Sequence, residues 1–176
     1  MARVAFSRRN VNISDFALYH SDIEDSLRLY FSPGSPTFDV RFYGDTVEEI
    51  NQKREERLAE ADLASAMTVL AALEAAFRID YLQRCYRREK DALSRALRDL
   101  HKRQQTRVRL DAILDAWKDH ASIETRLFGD LRGVLLFRHW LAHGRYWEPK
   151  LGRKYDFVAV YGLAVNVLSN FPLLGA

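Results

Sequence analysis

From Asp45 to Phe128 the chain contains neither glycine nor proline. These two residues are the strongest punctuators of local structure, and a sheet with several strands would need them at its turns. A stretch this long without them is suited to long antiparallel helices. Thr46 can cap a helix, with Glu48 and Glu49 in the first turn to complement the helix dipole. Leu63, Met67, Leu70, Leu73, Phe77 and Tyr81 then recur at spacings of three and four, which predicts one long helix to about Arg88. A second helix is predicted over Asp91–Lys102, followed by a polar break at Gln104–Arg107. Leu110, Ile113, Leu114 and Trp117 mark a third, and Ser122, with Glu124 and Thr125 behind it, opens a fourth. Tyr146–Lys154 reads as a loop around Pro149 and Gly152, and Phe157–Leu168 as a last helix stopped by Pro172. The fold class is therefore all-α, an antiparallel helical bundle over residues 46–176.

Residues 1–45 read as a separate N-terminal extension. Leu27–Phe31 and Phe38–Phe42 show partial alternation and flank Ser32-Pro33-Gly34-Ser35-Pro36, which suits a β-hairpin. Ile23, Leu27 and Tyr30 also fit helical spacing, so a short helix over Ser21–Tyr30 competes. The residues alone leave both open.

At 176 residues, 48% hydrophobic and 29% charged, the chain has the composition of a globular domain large enough to bury a core. No apolar run approaches the roughly 18 residues of a membrane span, and the first residues lack the apolar stretch of a signal peptide. The expectation is a cytoplasmic protein with no membrane partner. One cysteine, Cys85, excludes an internal disulfide framework and a cysteine-based zinc site. Net charge is only +3 but uneven. Residues 84–109 hold ten Lys/Arg against three Asp/Glu, and 138–154 hold five against one. Residues 45–62 are acidic, with seven Asp/Glu against three Lys/Arg. Basic stretches suit a polyanion, although the 84–109 run also reads as a solvated helical face.

The fourth helix carries the chemistry. Leu127, Leu131, Val134 and Leu135 mark its apolar face, and Arg138 continues that face where another apolar residue belongs. An arginine there needs a partner or a reactive task. Glu74 sits equally out of place on the apolar face of the long helix, between Leu70 and Phe77. It can reach Arg138, or pair locally with Arg78 at i,i+4; Asp80 is a lesser candidate. His143 follows Arg138 after four residues, and Gly144 can end the helix in a left-handed cap.

Arg138 and His143 resemble the signature of the HEPN superfamily, helical domains that include many metal-independent ribonucleases. Their motif is an arginine followed four to six residues later by a histidine, often with a polar residue directly after the arginine. His139 holds that slot here, where Asn or Asp is commoner. The resemblance covers residues 46–171 and implies a homodimer whose motif helices face each other across a composite cleft. It also implies an acidic residue near the arginine from an earlier helix, and Leu73-Glu74-Ala75-Ala76-Phe77 looks similar to that segment. The implied activity is an endoribonuclease of toxin–antitoxin or anti-phage type, with RNA as substrate and an antitoxin protein as a partner. A non-catalytic HEPN-like domain that binds nucleic acid or protein is the alternative, and a helical interaction protein with a fortuitous motif is a third reading.

The residue types suit metal-free RNA cleavage. The ribose 2′-hydroxyl attacks the adjacent phosphate and leaves a 2′,3′-cyclic phosphate and a 5′-hydroxyl. A histidine, with a reference pKa of about 6.5, can move the proton, and an arginine can hold the phosphate. His143 would be the acid or base and Arg138 the clamp. Five residues along an ideal helix place these two about 140° apart, so they do not share one face. His139 and His143 do share one, and that i,i+4 spacing can chelate a metal. Trp140 stands where a zinc protease needs glutamate, and no further cysteine or histidine pair completes a site, so neither metal nor cofactor is expected. Arg145, Tyr146 and Lys150 follow the motif as cationic and aromatic candidates for holding single-stranded RNA.

Overall fold

A computed structural model describes residues 4–7 and 12–175. Among these described residues seven α-helices follow one another: α1 (Ile13–Tyr30), α2 (Phe38–Arg41), α3 (Val47–Arg87), α4 (Ala92–Gln104), α5 (Leu110–His120), α6 (Thr125–Ala142) and α7 (Phe157–Asn170). A single 3₁₀ turn, Gln105–Arg107, fills the polar break between α4 and α5. No strand occurs among the described residues, and the protein is all-α.

The spine is α3, 41 residues and therefore about 60 Å long. Thr46 opens it with a reciprocal capping box. The Glu49 amide donates to the Thr46 hydroxyl, and the Thr46 amide donates to the Glu49 carboxylate. Arg88, in the left-handed region, closes it. Helices α1, α4, α5, α6 and α7 all pack on this spine. The predicted stripe lies where expected: Leu70, Leu73, Phe77 and Tyr81 are buried, and Leu63 and Met67 are half-buried. Against it pack Leu97 of α4, Ile113, Leu114 and Trp117 of α5, and Leu127, Leu131 and Val134 of α6. Phe171, just past α7, meets Phe77, Trp117 and Phe128 edge-on at ring distances of 5.1–5.4 Å, and so plugs the bundle.

The hairpin reading of residues 27–42 gives way to helices. Leu27–Tyr30 is the last turn of α1, and Phe38–Arg41 is the single turn α2. The longer window decides: Ile13, Phe16, His20, Ile23 and Leu27 repeat every three or four residues, and they turn one face of α1 toward α3 and α7. Ile13 enters the main core, and His20 stacks on Phe157 at 3.8 Å. The Ser32–Pro36 turn then folds Phe38 and Phe42 back on Phe31, and with Ile50 these rings make a small separate cluster. One boundary also moves. Glu124, not Ser122, precedes the first residue of α6.

Candidate functional site

Helix α6 lies on α3 with its apolar face inward, which brings Arg138 over Glu74. The guanidinium Nη2 of Arg138 is 3.1 Å from Glu74 Oε2. The same carboxylate accepts from Arg78 Nε through Oε1 at 2.8 Å. The tertiary and the local pairing therefore coexist, one on each oxygen. Arg78 in turn donates to the Val108 carbonyl at 3.2 Å, which ties the approach to α5 to the same point. Glu74 is largely covered, at 17% side-chain exposure, while Arg138 keeps 34%. Asp80 has no part in this; it is fully buried and bonded to Arg84 at 2.8 Å.

Arg138 opens onto a groove of about 500 Å³ between α3, the start of α5 and α6. Its walls carry Glu74, Arg109, Asp111, Arg132, Arg138 and His139. Arg109 and Arg132 escaped the sequence reading. Arg109 is one cation in a long basic run, and Arg132 lies six residues before the motif. Only the spacing of Arg132, seven before His139, could have singled it out. Both are tethered to acids, Arg109 to Asp111 at 3.3 Å and Arg132 to Asp115. Elsewhere in the basic run, Arg95 and Arg98 of α4 donate back to the Lys90 and Glu89 carbonyls in the link that precedes the helix.

His139 is the histidine that shares the groove with Arg138, whereas His143 lies one turn on, outside it. Helix α6 does reach His143, whose amide donates to the His139 carbonyl at 3.1 Å. There the chain reverses in a Schellman cap. The Arg145 amide bonds Trp140 O at 3.1 Å and the Gly144 amide bonds Leu141 O at 3.3 Å, with Gly144 at φ 78°. The two exposed imidazoles stand side by side, 4.2 Å between centroids, and Trp147 flanks both.

The three residues proposed to hold RNA lie apart from the groove. Arg145 forms a two-pronged ion pair with Glu60 of α3, at 2.9 and 3.0 Å. Tyr146 is 83% exposed and meets Trp147 edge-on at 4.7 Å. Lys150 is exposed and makes no ion pair among the described residues. Trp147 is pinned through its backbone, where Trp140 Nε1 donates to its carbonyl at 2.7 Å. Cys85 is no rival nucleophile: burial pushes its thiol up to about 11. No helix among the described residues is long and apolar enough to cross a membrane.

Compared with family models, curated proteins and solved structures, the chain matches none of them.

Proposed function

We propose that this protein is a metal-independent endoribonuclease that works as a homodimer. One observation carries the reading. A guanidinium, Arg138, is anchored by a covered carboxylate on the wall of an open groove that also holds His139, with His143 on the next turn. An anchored guanidinium costs little reorganisation when a phosphate arrives, which is how fixed charge stabilises a transition state. Arg138 clamps the scissile phosphate. His143 is the acid or base for the 2′-hydroxyl and the leaving oxygen, with His139 beside it. Arg109, Arg132 and the positive end of α5 add to the field in the groove. Tyr146 is free to stack a base on the outer loop.

The homodimer is supported by the solvent side of α6. Gly129, Arg132, Leu136, His139 and His143 repeat at spacings of three and four along one stripe, and Leu136 is 59% exposed. That seam suits a second copy of the same helix. A two-fold axis near it would bring two sets of Arg138 and His143 together and answer the 140° between them. Through its HEPN resemblance the reading extends to a toxin or anti-phage ribonuclease held in check by an antitoxin protein.

The decisive test is to incubate the purified chain with RNA in EDTA and map the ends. Cleavage should survive the chelator and leave 2′,3′-cyclic phosphates. Arg138→Ala and His143→Ala should each lower the rate by about 10²–10⁴ while helical circular dichroism is unchanged. Clean protein that binds RNA and never cuts it would leave a binding domain in place of a nuclease.

A further inference from the structure

The last turn of α6 is built like a chelate. The amide of His143 still bonds to the carbonyl of His139, so the two residues keep true i,i+4 register and their side chains leave the helix on one side. Both imidazoles are exposed, and their centroids are 4.2 Å apart with planes tilted by 58°. The Schellman cap at Gly144 fixes the turn from below, and the Trp140 bond to Trp147 fixes the loop that flanks it. Trp147 lies 5.8 Å from one ring and 6.4 Å from the other.

We infer that His139 and His143 form a two-imidazole site for a transition cation such as Cu²⁺ or Zn²⁺, and that the bound cation switches the groove off. Paired imidazoles suit these ions, whereas Mg²⁺ and Ca²⁺ demand oxygen ligands. The described residues contain no group of three or more His, Cys, Asp or Glu side chains placed to hold a metal. Water completes the coordination, and the site lacks the three protein ligands of a catalytic zinc. Each nitrogen lone pair given to the cation is one that no longer accepts a proton. A filled site therefore removes the acid–base pair. This second half rests on the ribonuclease reading; the chelate itself does not.

Titrating the full, metal-free chain with CuSO₄ and with ZnCl₂ tests both halves. Binding is followed by calorimetry and, for Cu²⁺, by quenching of tryptophan emission. One equivalent of Cu²⁺ should quench saturably and EDTA should reverse it, with Zn²⁺ binding more weakly and MgCl₂ not at all. His139→Ala and His143→Ala, each checked for helicity, should weaken Cu²⁺ binding by more than about tenfold, since even an outer partner of a metal ligand is worth that much. Wild-type affinity in either variant, or no saturable binding to the wild type, overturns the site. In the activity arm, one equivalent of Zn²⁺ should stop RNA cleavage and EDTA should restore it. Cleavage that continues with the site filled overturns the switch. A chain that binds Cu²⁺ through both histidines yet cuts no RNA refutes the ribonuclease reading and the switch together, and leaves the chelate standing.

Discussion

Glu74 holds two arginines with one carboxylate, and much of the site follows from that. In Glu74→Gln the amide oxygen can still accept from one guanidinium, but Arg78 and Arg138 then face each other uncompensated. The expected loss is about 1–2 kcal/mol, at the low end for charged hydrogen bonds because both guanidiniums are a third or more exposed and screened. Cleavage should suffer more than stability. A clamp released by an ångström costs up to about 100-fold, which kcat would report. A second buried carboxylate titrates in the opposite sense to an ordinary ion pair. Burial raises the Asp80 pKa above 3.8, even though the Leu174 amide and Arg84 both donate to it. The folded state then binds that proton more tightly than the unfolded one. The stability it contributes is present below 3.8 and is lost as pH rises through the raised folded value. The difference in unfolding free energy between wild type and Asp80→Asn should shift toward the variant across that window. A difference independent of pH would refute the assignment. In sequence, Arg138 and Glu74 were visible because each interrupts an apolar stripe. That Glu74 serves Arg78 as well was not, because local and tertiary pairing look like rivals until the two oxygens are placed.

At the scale of elements, the end of α6 decides where the histidines stand. Gly144 sits at φ 78°, and a Cβ built there meets nothing within 4 Å. The cost of Gly144→Ala is then backbone strain alone, about 1–2 kcal/mol. Its effect should concentrate in the last turn: faster hydrogen exchange at the His143 amide and weaker Cu²⁺ binding, with the rest of α6 unchanged. Exchange spread evenly over the helix would contradict a local cap. The glycine stop was legible because glycine takes a left-handed backbone without strain, whereas Arg88, which closes α3 in the same region, carries no such signal. The N-terminal region was less so. A five-residue alternation such as Leu27–Phe31 carries less information than the repeat from Ile13 to Leu27, and Pro33 and Pro36 mark a turn without saying what it joins. The groove was hidden for a related reason. Arg109 and Arg132 come from different helices and lie on solvent faces, where no pattern in the chain records what they face.

For the whole molecule, the bundle was written into the glycine-free and proline-free stretch, while the proposed pairing of copies rests on a surface stripe alone. Leu136 is the apolar member of that stripe, 59% exposed where it lines the rim of the groove beside Arg132 and His139, and it is no part of the buried core. Leu136→Glu should therefore leave circular dichroism and the melting temperature of the single chain intact, because an exposed change of this kind stays within about 0.5 kcal/mol. In a dimer paired along α6 the same change sets two carboxylates against each other near the axis, where like charges cost several kcal/mol. Sedimentation velocity should find the wild type as a dimer burying upwards of about 1,200 Å² and the variant as a monomer. RNA cleavage then discriminates further. A monomeric variant with Arg138, His139 and His143 intact should be inactive if the cleft is shared between copies, and Leu136→Ala, which puts no carboxylate in the groove, should lose activity in step with the dimer. If a monomeric variant cuts as fast as the wild type, each chain carries a complete site and the composite cleft is wrong.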